Sequence, residues 1–275
     1  MRYVTLPDGE QVPCLGIGTW RMGENAHRRS QEVEALRTAI DLGLTLIDTA
    51  EMYGEGGAEE VVAEAVGDRR QDVFIVSKVH PRNAARANTI AACERSLKRL
   101  RSAVIDLYLL HWRSAVPLAE TVAAFRQLRQ DGKIRHWGVS NFDVGDMAEL
   151  ADIDPGCAAD QVMYHLGARG IEFDLLPSTR QAGIPVMAYS PLGGGDILGD
   201  RTLNEIAQSR CVSPATVALA WVLRQEQVMA IPKTSKTARV KEFHAALDLT
   251  LNVYELQGLD KAFPVANRRT PLATS

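Results

Sequence analysis

The sequence predicts an α/β protein of the (β/α)8 TIM-barrel class, with an N-terminal β-hairpin and extra helices. Three observations predict it. Apolar, strand-like runs alternate with amphipathic, helix-like stretches almost from end to end; eight such pairs can be marked; and no Ser/Pro/Gly-rich linker or short-period repeat interrupts them. Regular strand–helix alternation is the signature of a parallel sheet covered by helices.

The elements follow in order. Asp8-Gly9, between two short strand-like runs, signals a hairpin ahead of the first pair. Barrel strands are expected at Cys14–Trp20, Leu44–Ala50, Val73–Val79, Ile105–Trp112, Ile134–Asn141, Ala159–His165, Ile184–Pro191 and Val228–Lys233. Most read as near-continuous apolar runs, as strands buried on both faces do. Helices are expected near Ser30–Leu42, Ala58–Val66, Ala87–Leu100, Leu118–Gln130, Asp143–Leu150, Glu172–Gln181, Leu203–Ser209 and Thr237–Leu247. Gly43 and Gly132 fall just past helices, where a left-handed residue closes the last turn. Asp143 can cap the helix after Asn141, and Ser213-Pro214 opens an added helix through Trp221, before the eighth strand. An open doubly wound sheet remains the alternative, because parallel strands look alike in both folds. Its dinucleotide fingerprint is missing: Gly16-Ile17-Gly18 begins one, but Arg21 stands at the third glycine position.

With 275 residues, 46% of them hydrophobic and 24% charged, the chain can bury a large core, and one barrel domain over 1–275 is expected. A net charge of -3 offers no global attraction to nucleic acid or an anionic membrane. The basic run Arg95–Arg101 is interleaved with leucines and reads as a solvated helix face. No apolar stretch approaches the roughly 20 residues that span a bilayer, and the opening MRYVTLPDGEQ is too polar for a signal peptide. Cys14, Cys93, Cys157 and Cys211 show neither CxxC nor metal-like spacing, so they read as buried thiols of a cytoplasmic protein, with no metal.

Chemistry-bearing residues gather at strand ends. The run LTLIDTAEMY stops at Asp48 and reaches Tyr53 five residues on; VFIVSKV is interrupted by Lys78; IDLYLLHW delivers His111. In a parallel barrel the carboxyl ends of all strands open onto one face, so these four converge. A phenol with a pKa of about 10 donates poorly unless its anion is stabilised; an ammonium supplies that, and a carboxylate keeps the ammonium charged. His111 can orient a carbonyl oxygen beside the phenol. Singly, each has a plainer reading: a turn cap, a strand-end charge, a packed lid, a core histidine.

The motifs IDTAEMYG, VSKV, LLHW, GVSN and IPKTS, in this order and spacing, resemble the aldo-keto reductases from Leu15 to Leu259. The resemblance implies a (β/α)8 barrel that reduces aldehydes and ketones with NADPH, by direct hydride transfer and without metal or flavin. Asp48, Tyr53, Lys78 and His111 match the family's catalytic tetrad, with Tyr53 as proton donor. It further implies that Ser140, Asn141 and Gln161 bind the nicotinamide carboxamide and that Tyr189 stacks on its ring. Thr19, Ser190, Leu192, Lys233, Thr234, Arg239 and Glu242 complete the implied cofactor site. The SPLGGG loop, Ser190–Gly195, would take the pyrophosphate, and Lys233, Thr234 and Arg239 the adenosine 2′-phosphate. Phe243 departs from the family's asparagine, which puts adenine recognition in doubt.

Trp20 and Trp112 are the expected aromatic walls of the substrate mouth, and the polar tail Pro264–Ser275 and short connections predict an open site. Within the family the pattern looks most like bacterial reductases of methylglyoxal and other small 2-oxoaldehydes. The expected partner is a compact neutral carbonyl compound, on a monomer or weak homo-oligomer; Arg169, after the sixth strand, is the candidate that would read a carboxylate instead. A cofactor-binding regulatory subunit and a lyase using Lys78 as a Schiff-base nucleophile are the competing readings.

Overall fold

A computed structural model of the protein describes residues 1–274. An antiparallel hairpin, β1 (Tyr3–Thr5) and β2 (Gln11–Pro13), precedes eight parallel strands. These are β3 (Gly16–Gly18), β4 (Leu46–Asp48), β5 (Phe74–Val79), β6 (Ile105–Leu110), β7 (Ile134–Ser140), β8 (Asp160–Met163), β9 (Val186–Tyr189) and β10 (Val228–Ala230), each paired to the next in order. The two edges meet: Ala230 N–H donates to Cys14 O at 2.8 Å and Gly18 N–H to Pro232 O at 2.9 Å. That closure excludes the open-sheet alternative and satisfies edge groups that would otherwise be exposed.

Helices α1 (Arg29–Asp41), α2 (Gly57–Val66), α3 (Arg86–Leu100), α4 (Leu118–Gln130), α5 (Val144–Ile153) and α6 (Leu175–Gln181) follow the strands in turn. Then α7 (Arg201–Ser209) and the added α8 (Pro214–Leu223) lie between β9 and β10, and α9 (Thr237–Ala245) and α10 (Val253–Ala262) close the chain. Local chemistry explains their starts. Asp143 and Asp146 form a reciprocal capping box at α5, and Ser213 Oγ accepts the Thr216 N–H ahead of Pro214 at α8. All of α8 from Ala215 to Leu223 is buried, so its uniform apolarity is that of a core helix.

Several expectations are corrected. The strands are shorter than the apolar runs: Cys14–Trp20 is a continuous strand only over Gly16–Gly18, with an isolated bridge from Leu15 to Ala230, and Trp20, Trp112, Asn141 and Lys233 lie beyond strand ends. Beyond those ends the ladder thins to single contacts, such as the bridge of Gly18 with Lys233 and the bond from Asn141 N–H to Gln161 O. The stretch Glu172–Gln181 divides into a short 3-10 turn, Gly170–Glu172, and α6, because Asp174 caps a new start. No strong pattern announced α10, yet Asn252 and Glu255 cap it. Cys14, Cys93 and Cys157 are buried, but Cys211 is exposed, in the turn after α7. The basic run on α3 is not wholly solvated, since Arg99 turns inward onto Glu59. Among the described residues no single helix is long and apolar enough to cross a membrane.

The hairpin plugs the amino-terminal end of the barrel. Glu10 accepts Arg135 Nη2 at 2.7 Å and lies 2.6 Å from His136 Nε2, whose ring stacks on Phe74. Gly16 sits against Leu46 with no room for a Cβ, which lets β3 and β4 approach at the centre. The opposite, carboxyl end opens into a cleft.

Candidate active site

The cleft at the carboxyl mouth has a volume of about 860 Å³, and its floor and walls include Asp48, Tyr53, His111, Ser140, Asn141, Gln161, Tyr189, Ser190 and Lys233. Strand alternation accounts for the floor. Asp48 ends β4 and Lys78 is the fifth residue of β5, both on inner-facing positions, while Ser77 faces the helices.

Lys78 is fully buried, and its Nζ lies 2.7 and 2.8 Å from the two Asp48 carboxylate oxygens, 2.9 Å from Thr49 O and 3.4 Å from Tyr53 Oη. These contacts occupy the three ammonium protons. Burial lowers the Lys78 pKa, and the Asp48 carboxylate opposes that shift. Asp48 also accepts Gln161 Nε2 at 2.7 Å, and its backbone carbonyl accepts Thr19 Oγ1 at 2.9 Å. Such a pair persists in a dry interior only because its remaining hydrogen-bonding capacity is filled.

Tyr53 follows β4 in a tight turn, Tyr53–Gly56. Burial, then the Asp48 charge, raises its phenol well above the ordinary value, so the phenol holds its proton at neutral pH. The His111 ring meets the Tyr53 ring edge-on with centroids 5.7 Å apart. Burial, with Lys78 and His80 charges, lowers the His111 pKa to about 2, so the imidazole is neutral. Its Nδ1 is buried without a hydrogen-bond partner.

A second polar chain continues along the wall. Tyr189 Oη donates to Asn141 Oδ1 at 2.9 Å, Asn141 Nδ2 donates to His111 O at 3.1 Å, and Ser140 Oγ donates to Gln161 O at 2.8 Å. Asn141 and Ser190 adopt left-handed backbone, φ +60 and +47, immediately after their strands. Non-glycine residues held there mark places where structure serves the site rather than local preference.

The structure brings the four strand-end residues together as expected, and Trp20 and Trp112 stand at the rim, 47% and 36% exposed. It does not bring every expected residue to the cleft. Thr19 is fully buried and braces Asp48 from behind; Leu192, Thr234, Arg239 and Glu242 do not line the cleft. Thr234 Oγ1 accepts the Lys236 N–H at the approach to α9, and Arg239 is exposed on that helix. Phe243 is 1% exposed and packs in the core. Arg169 is spoken for by Glu172, Asp260 and Phe263 O, away from the cleft, so it reads no carboxylate there.

Met52, Arg113, Asp146 and Thr274 also line the cleft. Adjacency to Tyr53, Trp112 and Asp143 is the signal that could have found the first three. Thr274 carried no signal. The tail comes back over the loops after β7 and β8, pinned by Arg269 to Asp143 and Asp174, so the expected open mouth is bordered on that side.

Fold and cleft define a parallel (β/α)8 barrel with a buried Asp48–Lys78–Tyr53 cluster at its carboxyl mouth. Residues 14–263 match the Aldo/keto reductase family, and the chain belongs to that family of oxidoreductases. It is 52% identical, over 95% of its length and 94% of the relative, to the methylglyoxal reductase YeaE of Escherichia coli (strain K12). It is 35% identical to the glyoxal reductase of Bacillus subtilis (strain 168), covering 94% of this chain and 91% of that protein. A solved aldo-keto reductase from Klebsiella pneumoniae, in complex with NADPH, superposes with a TM-score of 0.97 at 47% identity and full coverage of both chains.

Proposed function

We propose that this protein reduces small 2-oxoaldehydes such as methylglyoxal, and aromatic aldehydes, to alcohols, using NADPH and with Tyr53 as the general acid. The observation that carries it is the fully buried Lys78, held by both Asp48 oxygens and 3.4 Å from the Tyr53 hydroxyl beneath the cleft. The names of the Escherichia coli and Bacillus subtilis relatives support the substrate class, and the NADPH complex of the Klebsiella pneumoniae structure supports the cofactor.

The donor set fits a dinucleotide. Ser140, Asn141 and Gln161 offer amide and hydroxyl groups side by side for a carboxamide, Tyr189 offers a ring, and Lys233 a cation at the far wall. Gly193, Gly194 and Gly195 all hold positive φ in the loop after β9, and their lack of side chains lets a pyrophosphate approach the backbone there. Arg239 and Thr234 lie at the start of α9, where the dipole favours a phosphate. NADPH held there would supply the hydride that the carbonyl carbon takes up.

The protein's own groups do the rest. Neutral His111 donates a hydrogen bond that orients the carbonyl oxygen toward the phenol. Tyr53 Oη gives that oxygen its proton as negative charge develops there, and Lys78 stabilises the phenolate left behind. Asp48 keeps Lys78 ionised and in place. Trp20, Met52 and Trp112 form an apolar rim that suits compact or aromatic carbonyl compounds. A Schiff-base role is disfavoured, because Lys78 is 0% exposed and its Nζ is engaged by both Asp48 oxygens and Thr49 O. Buried free thiols fit a cytoplasmic setting, and we assign the activity to a monomer or weak homo-oligomer.

The test follows NADPH oxidation with methylglyoxal, benzaldehydes, aldoses and simple ketones. Tyr53→Phe should lower kcat/KM by about 10² to 10⁴-fold, the usual worth of a positioned acid, and leave NADPH binding unchanged. Undiminished turnover in that variant would rule out the assignment.

A further inference from the structure

Glu59 lies in the first turn of α2 and is fully buried, although a carboxylate in an apolar layer is costly unless its charge is met. Two groups meet it. Oε1 accepts the Ser77 hydroxyl at 2.6 Å, and Oε2 accepts Arg99 Nε from α3 at 2.6 Å. Ser77 is the residue before Lys78 on β5, turned outward where Lys78 turns inward. Arg99 continues past Glu59 to the Tyr53 turn. A Cβ built on Gly56, the residue that ends this turn at φ +95, would lie 2.5 Å from Arg99 Cδ and Nε.

The other side of the turn is held as well. Cβ atoms on Gly54 and Gly57 would meet Met22 O at 2.8 Å and Gly23 O at 2.7 Å, so glycines let the loop after β3 press directly on the turn. Glu32, also buried, accepts the Gly23 N–H at 2.9 Å and anchors that loop. The Tyr53 turn is therefore gripped between backbone on one side and Arg99 on the other. A helix-dipole role does not account for Glu59, since exposed Glu60 supplies the same charge in the same turn without burial.

We propose that Glu59 is a positioning residue for the reduction: through Ser77 and Arg99 it sets the separation between the Lys78 ammonium and the Tyr53 hydroxyl. The proposal rests on the proton-delivery reading of those two residues. The 3.4 Å between them is at the long end of hydrogen bonding, so a small shift of either support breaks it.

The experiment measures kcat, KM and their pH profiles for wild type, Glu59→Gln, Ser77→Ala, Arg99→Met and Arg99→Lys, with NADPH affinity by fluorescence titration. Glu59→Gln and Arg99→Met should lower kcat by about 10 to 100-fold, as a displacement near 1 Å does, with KM and NADPH affinity changed by less than about twofold. The alkaline limb of the kcat profile should move with them. Arg99→Lys, which keeps the charge and the aliphatic stem, should recover part of the loss relative to Arg99→Met. If Glu59→Gln does not fold, Ser77→Ala cuts one arm without stranding a charge and should still lower kcat several-fold. A kcat and pH profile equal to wild type in Ser77→Ala and Arg99→Met, at temperatures where both are folded, overturns the proposal. Tyr53→Phe is the control: if it stays active, the underlying reading falls too; if it is inactive while these variants are normal, only the role of Glu59 falls.

Discussion

Lys78→Met tests the centre of the site. Methionine matches the length of lysine but offers no donor, so Asp48, 3% exposed, would keep only the Gln161 amide at 2.7 Å as a side-chain partner. Thr49 O would also lose its 2.9 Å donor. Removing one member of a buried ion pair costs about 3–5 kcal/mol, because the other charge is stranded. For a chain of this size each kcal/mol shifts Tm by about 2–4 °C, so Lys78→Met should melt roughly 6–20 °C below wild type. Adding Asp48→Asn removes the stranded charge, and the double variant should regain about 1–3 kcal/mol over Lys78→Met. Reductase activity should stay at least about 10²-fold down in both, since neither supports a phenolate. Thermal unfolding of wild type, both single variants and the double variant, with kcat/KM on methylglyoxal, completes the cycle. A Lys78→Met Tm within about 2 °C of wild type, or strictly additive losses, would refute the buried-pair argument.

Two further predictions concern pH. His111 has its pKa lowered to about 2 in the fold, against an unfolded value of about 6.5. Between these values the unfolded chain holds the extra proton, so this group's contribution to stability is lost as pH falls, by up to about 1.4 kcal/mol per unit. Urea midpoints of wild type should thus fall relative to His111→Asn from pH 7 to pH 5, and parallel curves would count against it. Asp160 is fully buried and burial raises its pKa well above the ordinary range, which the Phe142 backbone only partly offsets. There the folded state holds the proton, so the contribution is present below the unfolded pKa and is lost as pH rises. Asp160→Asn should exceed wild type in stability at pH 8, with the advantage shrinking toward pH 4; a constant difference in chemical-denaturation midpoints would contradict the sign.

Much of the fold was legible because its determinants are local. Asp143 caps α5 and Ser213 caps α8 through N–H groups three residues away, and the apolar runs of β5 and β6 carry their own burial. The quartet was legible for a related reason: once the strands are parallel and closed, every carboxyl end faces the same mouth, so Asp48, Lys78 and His111 need only terminate strands to meet. Strand ends were less legible, since pairing at Trp20 or Lys233 depends on a neighbour distant in the chain.

Sequence by itself therefore determined the class of fold, the identity of the groups at the mouth and the chemistry open to them, through periodicity, caps and motif spacing. Tertiary structure decided what each group touches. Thr19 braces Asp48 instead of facing the cleft, Phe243 packs in the core, Arg99 turns from a basic run onto Glu59, and Thr274 reaches the rim. The physical reason is range. Caps and periodicity act over a few residues, whereas the direction of a side chain between two layers is set by contacts between elements 40 to 125 positions apart, such as Arg99 with Glu59 and Arg135 with Glu10.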